Sequence, residues 1–326
     1  MTTQPSFELI LPFLRPIEHL ILDPNISEIM VNGGSHIFIE RAGQLQTIPD
    51  VTISETALNA AVKNIARRLG DDVSEFKPIL DSRLPDGSRV AAVIRPCSID
   101  GITLTIRKFN SRNFTIADLI EAGTLTRELA ALLKEQIEKR SNVLISGGTG
   151  TGKTTLLNIL AGFVPDEDRI VLIEDTAEIR ITKPNLVRFE ARREQNGIPA
   201  VSIRDLLKAT LRHRPDRIIV GEIRGGEAFD LLQALNTGHS GTISTIHANS
   251  AAQALQRFTS CVLQSGIELP YRAIKSHIAD SIQTLVHIER AHGRRFIAQA
   301  LQIQGYTVDT DKYEFTALYE TDGARR

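Results

Sequence analysis

From about residue 126 onward, apolar positions alternate between two periods. Short unbroken runs such as Val143–Ile145, Ile170–Ile173 and Ile218–Val220 read as strands buried on both faces. Between them, apolar residues return every three or four positions: Leu125, Leu129, Leu132, Leu133 and Ile137; then Leu206, Leu207 and Leu211; then Ala228, Leu231, Leu232 and Leu235. These are helices with one apolar stripe, the second started by Ser202 and Asp205 and stopped by Pro215. Strand and helix in alternation predict a mainly parallel sheet covered on both faces. After about Ser265 the pattern gives one more helix (Ile274, Ile278, Ile282) and three strands, TLVHIER, FIAQALQI and YEFTALYE, expected as a closing meander without chemistry.

The first third reads differently. EIMVNG, HIFIER, RVAAVIRP and ITLTIRKF are strands, with Asn32-Gly33-Gly34 a turn between the first two. In the last of them Ile102, Leu104 and Ile106 are expected to face inward, and Thr103, Thr105 and Arg107 outward. Ser54 caps a helix carrying Leu58, Ala61, Val62, Ile65, Ala66 and Leu69, which Gly70 ends. Phe7, Ile10, Leu11 and Leu14 suit one face of a short helix that Pro12 and Pro16 limit. The expected organisation is an α+β N-terminal domain over 1–108, a linker over 109–125, where the pattern turns polar and loses its period, and an α/β domain over 126–326.

Composition narrows the function classes. At 42% hydrophobic and 24% charged residues the chain is an ordinary globular protein. Lys plus Arg (38) nearly balances Asp plus Glu (39), and there is no Trp and only four Tyr, so neither a basic nucleic-acid face nor a base-stacking platform is indicated. Cys97 and Cys261 are far apart, which points to a reducing compartment and away from structural zinc. Without a signal-like N-terminus or a run of about 18 apolar residues, a soluble protein is expected, touching membranes only peripherally or through a partner.

Chemistry concentrates at Val143–Thr155, VLISGGTGTGKTT. Gly147, Gly152, Lys153 and Thr154 satisfy G-x-x-x-x-G-K-T, with a buried strand before and a helix after. Such a loop, Gly147, Gly148, Thr149, Gly150, Thr151, Gly152, Lys153, Thr154 and Thr155, curls its N–H groups around phosphate oxygens at a helix N-terminus. Lys153 adds charge for the β- and γ-phosphates of ATP, and the Thr154 hydroxyl suits the shell of Mg²⁺. Three more strand ends carry Glu174 with Asp175, Glu222, and His247, and in open α/β sheets such ends converge on the ligand. Phosphoryl transfer needs this set: a cradle, a carboxylate for Mg²⁺, a carboxylate for the attacking water, and a group that feels the γ-phosphate. Position alone leaves the division of roles between Glu174 and Glu222 open. Arg83, Arg89, Arg95 and Arg107 cluster on or near the predicted strand ends of the first domain, suited to phosphate or to a solvated sheet face.

SEIMVNG, LPDGSRV, TIRKF, GGTGTGKTT, IEDTAEI, LRHRPDRIIVGEIRGGEA and GHSGTISTIHANS, in that order over nearly the whole chain, resemble the secretion-superfamily hexameric ATPases of type II and type IV secretion. Among these, the tight-adherence pilus and conjugal-transfer members look most similar. The resemblance implies a RecA-like P-loop domain preceded by a smaller α+β domain, with nucleotide bound between them. It also implies a homo-hexamer, cytoplasmic and held peripherally at the inner membrane by components of a secretion, conjugation or pilus apparatus, without direct nucleic-acid binding. By resemblance Glu174 is the base for water and Glu222 helps hold Mg²⁺; Thr154, Glu222 and Glu174 make up the metal candidates. His247 matches the γ-phosphate sensor, and Arg89, Arg95 and Arg107 are candidates to close over the nucleotide. The tetracysteine metal module of some members is absent, as is the extra N-terminal region of many tight-adherence members, which bears on the named system and not on the ATPase. The competing classes are a RecA-like nucleic-acid motor and a nucleotide-binding switch with little turnover.

Overall fold

The computed structural model describes residues 7–41, 43–109, 114–192, 194 and 197–321, and the chain divides into two units, Met1–Arg112 and Asn113–Arg326. Residues 110–113 of the expected linker lie outside the described residues.

In the first unit β1 (Ile26–Asn32), β2 (His36–Arg41), β3 (Gln44–Ile48), β4 (Ile79–Arg83), β5 (Arg89–Val93) and β6 (Thr103–Arg107) form one sheet among the described residues, ordered β3-β2-β1-β6-β5-β4. All its pairs are antiparallel. Alternation selects the buried face: Leu104 and Ile106 are buried, Thr103 and Thr105 half-buried, Arg107 exposed. Helix α1 (Glu18–Leu22) precedes β1, and α2 (Glu55–Arg68) contributes its stripe of Leu58, Ala61, Val62, Ile65 and Ala66 to the same core. Ser54 caps α2 by accepting the Ala57 N–H at 3.2 Å. Residues 7–17 bury Phe7, Ile10, Leu11 and Leu14 but as 3-10 turns, because Pro12 and Pro16 interrupt a continuous helix. The β1–β2 turn requires glycine at Gly34, where φ is +80° and a Cβ would lie 2.1 Å from the Ile53 carbonyl oxygen.

The second unit holds β7 (Val143–Gly147), β8 (Ile170–Glu174), β9 (Leu186–Glu190), β10 (Arg217–Ile223), β11 (Ile243–His247), β12 (Thr284–Ala291), β13 (Arg294–Thr307) and β14 (Lys312–Glu320). Their order is β14-β13-β12-β7-β11-β10-β8-β9. From β12 to β9 neighbours are parallel; β13 pairs antiparallel with β12 on one side and with β14 on the other. The helices are α3 (Ile116–Glu121), α4 (Arg127–Glu138), α5 (Lys153–Gly162), α6 (Ile203–Thr210), α7 (Glu227–Asn236), α8 (Ala251–Leu263) and α9 (Tyr271–Ser281). Two cores share the sheet. Ile218 and Val220 join Leu207, Leu232, Leu255 and Ile278 in one, and Ile219 joins Leu133 and Leu157 in the other. An unbroken apolar strand is thus a strand with helices against both faces. Within the stretch read as a linker, α3 is opened by a reciprocal cap between Thr115 and Asp118 and buries Leu119.

Candidate nucleotide-binding site

Four parallel strands, β7, β11, β10 and β8, lie side by side, so their C-terminal ends form one edge. β7 ends at Gly147, where a Cβ would lie 2.4 Å from the Ile288 carbonyl oxygen and 2.7 Å from Thr151 Oγ1. Only a bare backbone fits so closely. Gly150 (φ +69°) and Gly152 (φ +101°) supply the left-handed turns before α5 begins at Lys153. Thr151 Oγ1 donates to the Gly148 carbonyl at 3.0 Å. Lys153 Nζ donates to the carbonyls of Gly147 (3.0 Å) and Gly148 (2.8 Å). Burial pushes the Lys153 ammonium below its ordinary pKa, against the nearby charge of Glu222. The loop with its following helix N-terminus, and glycine wherever a side chain would fill it, fits a polyphosphate such as that of ATP. Thr154 and Thr155, half-buried, open the helix.

The two glutamates differ sharply. Glu174, ending β8, is 3% exposed. Its Oε1 accepts the N–H groups of Glu178 and Ile179, both at 2.8 Å, while Oε2 is buried without a hydrogen-bond partner and has Arg188 of β9 3.7 Å away. Burial raises this carboxyl to about 7 despite the two amides and Arg188. Space for its side chain comes from Gly221 on β10, where a Cβ would lie 3.2 Å from Glu174 Cγ. Glu222 Oε2 instead accepts from Arg224 Nε at 2.6 Å, and Arg224 Nη1 reaches Asp175 at 3.2 Å, tying the ends of β10 and β8 together. Thr154, Glu222 and Glu174 are oxygen donors of the type hard cations take, which suits Mg²⁺.

His247 ends β11, exposed, in register with Gly147. On the other flank of β7 stand residues the sequence did not announce. His287 of β12 is in register with Ser146, its Nδ1 2.9 Å from the Ser146 hydroxyl and its Nε2 3.5 Å from Glu289. Burial pushes the imidazole below its ordinary pKa, keeping it neutral at pH 7. Arg295 of β13 donates to the Gly150 carbonyl. The C-terminal strands, expected to close the domain as a meander, also reach the loop: β12 pairs directly with the loop strand and brings its hairpin along. Arg188, Gly221, Arg224, His287 and Arg295 are the residues sequence reasoning left without a role; of these, Gly221 and Arg224, on either side of Glu222, lay within a recognised motif.

In the first unit, Arg83, Arg89 and Arg107 form one cross-strand row over β4, β5 and β6, continued by Glu28 on β1. Arg95 does not join them. It lies past the other end of β5, where its Nε donates to Glu55 at 2.9 Å, so the four-arginine cluster expected from strand ends is corrected to three. Antiparallel pairing separates the two ends of a strand that a linear reading treats alike.

Residues 13–316 match the family of type II/IV secretion system proteins. The chain is 35% identical over 304 residues to the conjugal transfer protein TrbB of Rhizobium radiobacter, covering 92% of this chain and 90% of that one. It is 30% identical to the type IV secretion system protein VirB11 of Bartonella henselae over 88% of this chain and 90% of the relative. The structure of the Legionella pneumophila ATPase DotB superposes with a TM-score of 0.62 at 23% identity, covering 93% of this chain and 83% of that one, which extends the likeness to the fold. The chain belongs to the type II/IV secretion system protein family, as its motifs suggested, and its fold is the expected RecA-like P-loop domain preceded by a smaller α+β domain.

Proposed function

We propose that this member of the secretion family is an Mg²⁺-dependent ATP hydrolase, assembled as a homo-hexameric ring that drives a secretion, conjugation or pilus-assembly machine. One observation carries the catalytic part. Glu174, at the same sheet edge as the phosphate loop, is held through Oε1 while Oε2 stays buried and unbonded, with a proton affinity near neutrality. That is the condition of a general base.

In this reading Gly147–Thr155 hold the phosphates of ATP, and Lys153 exchanges its bonds to the loop carbonyls for phosphate oxygens. Glu174 takes the proton of the attacking water at Oε2, its backbone amides fixing the carboxylate's direction. Thr154 and Glu222, with Glu174 nearby, hold Mg²⁺, which when bound supplies charge neutralisation to the phosphates. Arg224 gives up Glu222 to that role and retains Asp175. His247 feels the γ-phosphate from the end of β11. Arg89 and Arg107 close over the nucleotide from residues 1–108, with Arg95 a third candidate from a separate position, and residues 126–326 form the motor core beyond the 109–125 connection.

Among the described residues no helix is long and apolar enough to cross a membrane. In this reading the protein is cytoplasmic and is held at the inner membrane by partner components of the apparatus; the relatives named for conjugal transfer and type IV secretion support a place in such an apparatus. Balanced charge supports the absence of direct nucleic-acid binding. The test is Mg²⁺-ATPase activity of wild type, Lys153→Ala and Glu174→Gln over a protein dilution series, with light scattering for size. Activity that tracks a six-subunit particle and disappears in both variants supports the ring motor. Full activity from a monomer overturns the ring, and nucleotide binding without turnover in the wild type overturns the hydrolase.

A further inference from the structure

The turn between β12 and β13 is His292-Gly293, both at positive φ (+51° and +79°), which makes a tight two-residue hairpin. Across it Arg290 pairs with Arg295, so the two guanidinium stems project from one face. That face meets the phosphate loop. A Cβ at Gly150 would lie 3.7 Å from Arg290 Nη1, and one at Gly152 would lie 3.5 Å from Arg295 Cδ and 3.6 Å from Ile288 Cδ1. Arg295 Nε donates to the Gly150 carbonyl at 3.0 Å. In isolation, two like charges opposite each other on a hairpin are destabilising. Beside a loop that gathers anions, the same pair is favourable.

A trans peptide is planar, with its C=O and the following N–H pointing in opposite directions. Holding the Gly150 carbonyl toward the hairpin therefore turns the Thr151 N–H away from it. Gly150 has φ +69° and no side chain to resist rotation of this peptide, so an outside anchor matters more here than elsewhere in the loop. We propose that Arg295 is a positioning residue of the phosphate loop: its bond to the Gly150 carbonyl keeps the Thr151 N–H turned inward for the phosphates, Arg290 adding positive charge at the same point. The anchor comes from a hairpin more than a hundred residues later in the chain. The proposal rests on the nucleotide-binding reading above.

The experiment measures binding of a fluorescent ADP analogue, and KM and kcat for ATP, in the full chain carrying Arg295→Met, Arg295→Gln or Arg294→Met. Lys153→Ala is measured alongside. Arg294 is exposed on the same hairpin, so its variant removes equal charge from the turn. Arg295→Met is expected to weaken ADP binding and raise KM by roughly tenfold, about 1.4 kcal/mol, with kcat within about threefold. Arg295→Gln, which retains a donor for the carbonyl, is expected to recover most of the affinity, and Arg294→Met to stay within about twofold. Wild-type affinity in Arg295→Met overturns the proposal, as does an equal loss in Arg294→Met. Should Arg295→Met not fold, Arg295→Gln decides: retained affinity supports anchoring, and a tenfold loss shows that charge acts and overturns it. If the wild type binds no nucleotide, the reading of the site fails. If it binds, Lys153→Ala loses binding and Arg295→Met does not, the anchor alone fails.

Discussion

The strand that carries the phosphate loop has two unlike flanks. On one, β11 and β8 end in His247 and Glu174, and β10 carries Glu222 one residue before its end, each a polar residue at the close of an apolar strand. On the other, β12 and β13 contribute a buried histidine, an isoleucine whose carbonyl presses on Gly147, and two arginines on a hairpin. The first flank presents groups whose type suggests the use proposed for them. The second shapes the backbone that does the binding, and its residue types declare nothing. In the proposed reading, the edge is made by chemistry on one side and by support on the other.

The largest expected effects lie on the first flank. Glu174→Gln should lower ATP turnover by roughly 10²–10⁴-fold with nucleotide binding retained, measured by steady-state hydrolysis beside ADP titration. Lys153→Ala should lose both. A Glu174→Gln enzyme within about threefold of wild type would break the assignment and move the base to Glu222.

The proton affinity of Glu174 then makes a paired prediction. Its carboxyl is raised to about 7 in the folded chain, so the folded state favours the protonated form. The cost of ionising it is absent below the ordinary value of 4.5, grows as pH rises, and is complete above about 7. Glu174→Gln should therefore be more stable than wild type at pH 8, by about 3 kcal/mol, and equal to it near pH 4. Urea unfolding at both pH values checks this. Turnover has the opposite sign, since the base acts as carboxylate: wild-type activity should fall as pH drops through about 7.

On the second flank the expected losses are of stability more than rate. His287→Phe leaves the buried Ser146 hydroxyl without its imidazole partner at 2.9 Å and should cost about 1–3 kcal/mol in thermal or urea unfolding. If it also abolished turnover at a temperature where the protein stays folded, the division between chemistry and support would not hold. The smallest effect belongs to the boundary. Gly221→Ala sets a methyl 3.2 Å from Glu174 Cγ and should cost about 1 kcal/mol while reducing kcat several-fold through displacement of the carboxylate.

How much of this was readable follows from where signal is local. The phosphate loop, the cap at Ser54 and the strand ends at Glu174, Glu222 and His247 all announce themselves within a few residues, because glycine spacing, capping and an apolar run ending in a charge are local events. β3 and β9 went unread because they are edge strands: Gln44–Ile48 is almost wholly exposed and Leu186–Glu190 only half-buried, so neither alternates. Helix α3 was hidden in a polar stretch because a six-residue helix with a reciprocal cap needs only one buried leucine, Leu119. Arg95 was grouped with Arg89 and Arg107 because strand direction is invisible until pairing is known.

By itself, the sequence determined the α/β class, the phosphate loop and the four strand ends that meet there, since periodicity and glycine spacing are properties of neighbours along the chain. Only the tertiary structure decided which glutamate is buried with an unbonded oxygen, which arginines share a row, and that the hairpin at 290–295 grips Gly150. The physical reason is the same for all three. Desolvation, cross-strand register and the anchoring of a peptide plane depend on what packs against a residue, and those neighbours lie anywhere from a few to more than a hundred positions away.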